Sequence, residues 1–430
     1  LLVVVLTLGP PIVRLGRGPE VLFQDPFALS PGHWVHVGAW AIGGVAGLAI
    51  VGRRLWRALR RLLSWPVLPY TVWVALALLS VAYASLKPLT AFEAGRLAAG
   101  LLLAVSVSLV LADSRSRSLS LIEGACVLGV LTQLALMLSA PWLVGNIEGM
   151  TGAYRLTGGM FGDYGGFAVI TGGMLLRRSA WPVERRSWVR YLYLLGYCVT
   201  WVVVALTRTR TALVAALIVA GVILYLLEVS RRLKVLWCSI LGACMVVALG
   251  LQDAVVGFLL RGQTWEQVVG LTGRVAALEY MVDQWRQAPI FGFGYGSGSR
   301  FVLLEYVART GTGMGQAHDV LSRALVDLGV AGTSALLIAI FAAVRATWGV
   351  VRLARRGLVD RSLAAGWAAV MAWQITYSFT GSGVAAPSLP FALALVTVSD
   401  WPRGRGAGPV PAPSASSERV LRQGWRHACQ

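Results

Sequence analysis

Residues 191–228 read YLYLLGYCVTWVVVALTRTRTALVAALIVAGVILYLLE. Two apolar runs, 191–206 and 211–228, flank the turn Thr207-Arg208-Thr209-Arg210. Each run approaches the ~20 residues a helix needs to cross the hydrocarbon of a bilayer. The stretch reads as two membrane spans joined by a tight, doubly cationic turn.

Working outward, apolar runs of this kind recur along the whole chain. Of its 430 residues, 57% are hydrophobic and only 13% charged, with mean hydropathy +0.69. A soluble domain carries about a quarter charged residues. The expectation is an all-α, polytopic membrane protein with about 12 transmembrane helices. They are drawn at 1–13, 33–51, 67–86, 92–112, 119–140, 161–176, 191–206, 211–228, 235–251, 320–344, 362–380 and 385–400. The first run is too short to span alone unless residues precede it. No charged segment or cleavage site marks it as a signal peptide. No internal repeat is visible.

Charge sets the orientation. The net charge is +19, and Lys87 and Lys234 are the only lysines. With the N-terminus inside, segments 52–66, 113–118, 177–190, 229–234, 345–361 and 401–430 face inward and hold 25 of the 38 basic residues. That is the positive-inside bias of short cytoplasmic loops, and with no nucleic-acid motif present no nucleic-acid partner is implied. None of the five cysteines falls in an external loop, so no disulfide framework is expected. There is no CxxC, HExxH or DxD, so neither a metal nor a cofactor is expected.

The longest outer loop falls between the ninth and tenth spans. The domain reading is therefore 1–251 for spans one to nine and 252–319 for the loop. Residues 320–400 carry the last three spans, and 401–430 form a Pro/Ser/Gly/Arg-rich disordered inner tail. Within the loop, 274–287 predicts an amphipathic helix with Val275, Leu278, Met281, Val282 and Trp285 on one side, lying against the membrane surface or the domain. Pro289 stops it. The turn GFGYGSG (Gly292–Gly298) follows, then a helical stretch over 300–309.

The informative basic residues are those on the outside. Arg208 and Arg210 precede a helix start, where free backbone N–H groups and the dipole add to side-chain charge to make an anion site. A single arginine there would read as snorkelling to lipid phosphates. Arg155 lies in a Gly-rich outer segment, and Arg274 begins the amphipathic helix. His318 precedes the tenth span. A helix N-terminus and nearby arginines keep its imidazole neutral, so it is able to act as a general base. Asp319, Arg323 and Asp327 read as a salt-bridged ladder bracing that helix, and Glu93 with Arg96 as an internal pair. Lys87, His33 and His36 read as interface residues.

Four segments, in order, resemble the O-antigen ligase/O-antigen polymerase superfamily of bacterial membrane glycosyltransferases. Residues 155–168 resemble its Arg-x-x-Gly-x-Phe stretch, with Asp163-Tyr164-Gly165 where the family has Asn-Pro-Asn. Residues 206–213 are similar to its Leu-Thr-x-Ser-Arg-x-Ala-Leu, which puts Arg210 on the motif arginine; Thr209 replaces Ser and Arg208 is an addition. Residues 272–296 resemble its Ser-Gly-Arg…Pro-x-x-Gly-x-Gly-x-Gly run, matching Arg274, Pro289, Gly292, Gly294 and Gly296. Residues 317–332 resemble its Ala-His-Asn…Gly-x-x-Gly element, with Asp319 in place of Asn.

The resemblance implies a twelve-helix fold in the inner membrane of a Gram-negative bacterium, with the active site facing the periplasm. It implies a metal-independent, inverting transfer from an undecaprenyl-diphosphate-linked O-antigen donor to a hydroxyl of the lipid A–core oligosaccharide. Arg210 and Arg274, assisted by Arg208 and Arg155, would then clamp the diphosphate beside His318. O-antigen polymerase, protein O-oligosaccharyltransferase and, outside the enzymes, a lipid-linked glycan flippase are the alternatives.

Overall fold

The computed structural model describes residues 31–111, 115–139, 145–147, 154–156, 164–180, 187–207, 209–227, 274–310, 320–379, 388–399 and 401. The helices are α1 Pro31–Arg53, α2 Leu55–Leu62, α3 Val67–Leu79, α4 Lys87–Val110 and α5 Arg115–Ser139, then α6 Tyr164–Ala180, α7 Ser187–Thr207 and α8 Arg210–Leu226. They continue as α9 Arg274–Trp285, α10 Gly298–Thr310, α11 Val320–Arg355, α12 Arg361–Ser378 and α13 Leu389–Ser399.

Among the described residues, four helices are long and apolar enough to cross a membrane: Lys87–Val110, Arg115–Ser139, Trp188–Thr207 and Val320–Arg355. The bent pair α2–α3 makes a fifth if counted as one span, and shorter apolar helices include Thr211–Leu226 and Leu389–Ser399. The protein is a multi-pass membrane protein. The expected spans at 1–13 and 235–251 lie outside the described residues; each of the others falls on a described helix.

The fold is helical, as expected, with one short ribbon added: β1 Gly145–Ile147 and β2 Tyr154–Leu156 pair antiparallel, with Asn146 opposite Arg155. Strands of three residues are too short to leave a period-two signal.

The helices pack as two groups. α1, α3, α4 and α11 form one, and α5, α6, α7 and α8 form the other. α12 joins α8, α6 and α11, while α13 touches α3, α4, α5, α11 and α12. Every residue of α13 is buried, as expected for a helix that is apolar all round. Close approach in the second group depends on the small residues of α6. A Cβ at Gly172 would lie 2.6 Å from Thr200 Oγ1, and one at Gly173 would lie 2.7 Å from Val219 Cγ1. Without a solvent-driven hydrophobic force inside the bilayer, such contacts carry helix association.

α11 outruns its expected boundary. It continues to Arg355, with Arg352 and Arg355 in its last turn, where cations complement the helix dipole. The Arg355 guanidinium sits 4.1 Å from the centre of the Tyr225 ring on α8. The chain then turns and Asp360 caps α12, accepting from Ser362 N at 2.7 Å and Leu363 N at 3.3 Å.

Candidate functional site

α11 is broken at Gly329, where φ is 64° and ψ −161°. That region of backbone space is essentially closed to residues with a Cβ, and a Cβ here would overlap the Ile290 carbonyl. The break frees backbone groups, and the segment after α9 takes them up. Val330 N donates to Pro289 O at 2.9 Å and Ala331 N to Ile290 O at 3.1 Å. Phe293 N donates to Val326 O at 2.9 Å and Gly294 N to Asp327 O at 2.8 Å.

The Gly-rich turn is thereby docked into the broken helix, and the Asp327 carboxylate completes the joint. Asp327 Oδ2 accepts from Gly296 N at 2.8 Å, and Oδ1 from Ser299 N at 2.6 Å, the second amide lying at the start of α10. The expected ladder is therefore corrected in part. Arg323 Nε does lie 3.5 Å from Asp327 Oδ2, but the shorter contacts of Asp327 run to the turn, not along its own helix. Asp319 lies outside the described residues. A buried carboxylate needs strong partners, and two backbone N–H groups beside a guanidinium supply them.

The other side of the turn is fixed to α4, to α3 and to the residues just after α3. Tyr295 N donates to Ser80 Oγ at 3.0 Å, Thr90 Oγ1 to Ser297 Oγ at 2.7 Å, and Tyr83 Oη to Phe291 O at 2.8 Å. The Tyr295 ring meets Trp73 edge-on at 5.5 Å. Burial pushes the Tyr295 phenol far above its usual range, so the ring is a neutral anchor at any working pH. The expected Glu93–Arg96 pair is present, with Arg96 Nη1 3.1 Å from Glu93 Oε1.

On this joint stand α9 and α10. Ala277, Met281, Val302, Leu303, Tyr306 and Val326 form a small core between them and the first segment of α11. The buried stripe of α9 is thus Ala277 and Met281, while Leu278 of the expected apolar side is exposed. The helix is held by protein, and its neighbours Ile290 and Phe291 are exposed at 61% and 54%.

The structure places the expected site residues as follows. Arg155 is the central residue of β2, which packs against α7. Arg210 is the first residue of α8 and follows directly on the end of α7. The ribbon and the Arg210 turn therefore share one helix. Thr209, the N-cap, is extended and makes no side-chain cap bond; its hydroxyl donates back to Thr207 O at 3.2 Å. A first turn without a side-chain cap is suited to an external anion. Arg274 is the first residue of α9. Ala277, one turn on, shares the small core with Val326 of α11, the helix that starts just after His318. Arg208 and His318 lie outside the described residues. Among the described residues no group of His, Cys, Asp and Glu could hold a metal ion.

Sequence reasoning missed a buried charged pair. Arg177 Nη2 lies 2.6 Å and 2.8 Å from the two oxygens of Glu123, and Arg177 Nη1 donates to Ser362 Oγ at 3.0 Å. The pair ties α5, α6 and α12 together and lines a small pocket with Ile170, Gly173 and Gly366. Its signal was an isolated Glu inside an apolar run, a charge that requires a partner.

What fold and site define together is a multi-pass membrane protein in which a Gly-rich turn docks into a broken helix and arginines open two other helices, α8 and α9. Residues 195–337 match the model of the O-antigen ligase family. That segment is similar to the O-antigen ligase family, and the match is confined to it. No curated protein matches the chain. The matched segment contains Arg208, Arg210, Arg274, the Gly-rich turn and His318; Arg155 precedes it.

Proposed function

We propose that the protein is an O-antigen ligase. It transfers a glycan from undecaprenyl diphosphate to a hydroxyl of the lipid A–core oligosaccharide on the periplasmic face of the inner membrane. The observation that carries this reading is the family match over 195–337, within which both Arg210 and Arg274 open helices.

The chemistry follows from those positions. Arg210 and Arg274, assisted by Arg208 and Arg155, bind the diphosphate and stabilise the charge that develops as it leaves. His318 takes the proton of the acceptor hydroxyl. The acceptor oxygen forms a bond to the anomeric carbon from the face opposite the breaking C–O bond, so the configuration inverts. The arginines carry the charge of the leaving group, which requires no divalent cation.

Purified protein supplied with undecaprenyl-diphosphate glycan and separate acceptors tests this. Transfer to lipid A–core in the presence of chelator supports the ligase. Extension of the lipid-linked chain instead would identify a polymerase, and transfer to a Ser/Thr peptide a protein O-oligosaccharyltransferase.

A further inference from the structure

At the end of the bundle opposite the glycine joint, α2 (LWRALRRL) turns 96° away from α3. Its residues sort into three sectors rather than two. Ala58 is fully buried, and Arg61 and Arg54 face the same neighbour. Arg61 Nη1 donates to Ser108 Oγ at 2.7 Å, and Arg54 Nη1 to Leu109 O at 2.7 Å, both at the C-terminal end of α4. This sector holds α2 to the protein, with cations at a helix C-terminus as the dipole favours. A second sector is apolar and uncovered: Leu55, Trp56 and Leu59 are exposed at 54%, 67% and 37%, and Leu63 and Trp65 continue it. The third carries Arg57 and Arg60, with Arg53 just upstream; all three are exposed. The Arg60 guanidinium lies over the Trp56 ring at 5.1 Å, at the border between the last two sectors. Residues 53–65 contain five arginines and no acid.

A helix perpendicular to a span, with one side on protein, one apolar side open and one cationic side open, has the arrangement of an interfacial helix. The open sides specify their occupant. A free phosphate or a nucleic acid would satisfy the arginines and leave Leu55, Trp56 and Leu59 in water; an apolar partner helix would leave the arginines unmatched. A molecule with an anionic head and an acyl chain matches both. We infer that α2 is a binding site for anionic glycerophospholipid, with the headgroup phosphate on Arg57 and Arg60 and the acyl chains along Leu55, Trp56, Leu59 and Leu63. The site is separate from the proposed glycan-transfer site and does not depend on it.

The test uses the full chain in neutral-detergent micelles, titrated with phosphatidylglycerol or phosphatidylcholine and read by native mass spectrometry. Wild type should retain phosphatidylglycerol in preference to phosphatidylcholine. One cation near an anionic lipid surface is worth about fivefold in binding, so R57Q/R60Q should weaken phosphatidylglycerol retention by roughly 30-fold. R352Q/R356Q removes the same charge from exposed positions at the end of α11 and should change it less than threefold. Trp56→Ser, which keeps all the arginines, should weaken both lipids. Equal loss in the two arginine pairs would reduce the effect to net charge. Unchanged retention in R57Q/R60Q would remove the site.

Discussion

Replacing Asp327 by Ala should open the joint on which α9 and α10 stand. The carboxylate is 1% exposed and accepts from Gly296 N at 2.8 Å and Ser299 N at 2.6 Å, with Arg323 Nε 3.5 Å away. Hydrogen bonds to a charged group contribute about 1.5–3 kcal/mol each. Breaking a buried ion pair by removing one partner costs about 3–5 kcal/mol. These overlap, because the same two oxygens serve all three groups, so about 3–5 kcal/mol is the expected local loss. Asp327→Asn keeps one acceptor oxygen and should cost about half as much. Amide hydrogen exchange over 292–299 reads this directly, since local opening exposes those N–H groups. At about tenfold per 1.4 kcal/mol, exchange in Asp327→Ala should accelerate by roughly 100-fold or more. Exchange within threefold of wild type would refute the claim that Asp327 holds the turn.

Gly329→Ala places a Cβ against the Ile290 carbonyl at a φ of 64°; an accompanying loss of about 3 kcal/mol or more in the same exchange window is expected. For the Glu123–Arg177 pair, single Glu123→Ala or Arg177→Met variants should each lower stability by about 3–5 kcal/mol, while the doubly apolar Glu123→Leu/Arg177→Met should recover much of it. Unfolding in mixed micelles measures that cycle, and additive losses would contradict a buried pair. Arg210→Lys and Arg274→Lys should each slow glycan transfer by roughly 100-fold without changing insertion, because a lysine cannot reproduce bidentate phosphate contact; wild-type rates in either would remove that residue from the clamp.

The multi-pass helical character was legible because an apolar run of bilayer length has few other readings. The run at 320–344 did not reveal its break at Gly329. A glycine inside an apolar helical run is tolerated often enough that residue type alone does not mark a kink; docking of Pro289, Ile290 and Phe293 against it decides the matter. Asp327 was assigned to its own helix because i, i+4 spacing from Arg323 satisfies a ladder, whereas its stronger partners, Gly296 and Ser299, are distant in sequence. Glu123 and Arg177 are 54 residues apart, and spacing cannot pair such groups. The three sectors of α2 were invisible for a related reason: five arginines in an expected inner loop satisfy the inside bias whether or not they form a helix. Arg210 and Arg274 stood out by position, because the expected topology sets them on the outer side, where that bias does not place them; in the structure each opens a helix.

The central claim is that His318 is the base of a metal-free glycan transfer assisted by Arg210 and Arg274. Purified wild type and His318→Ala, each reconstituted with undecaprenyl-diphosphate glycan, lipid A–core acceptor and chelator, test it most directly. With His318 as the base, wild type transfers the glycan and His318→Ala does not, at unchanged unfolding stability. Wild-type transfer rates in His318→Ala would contradict it.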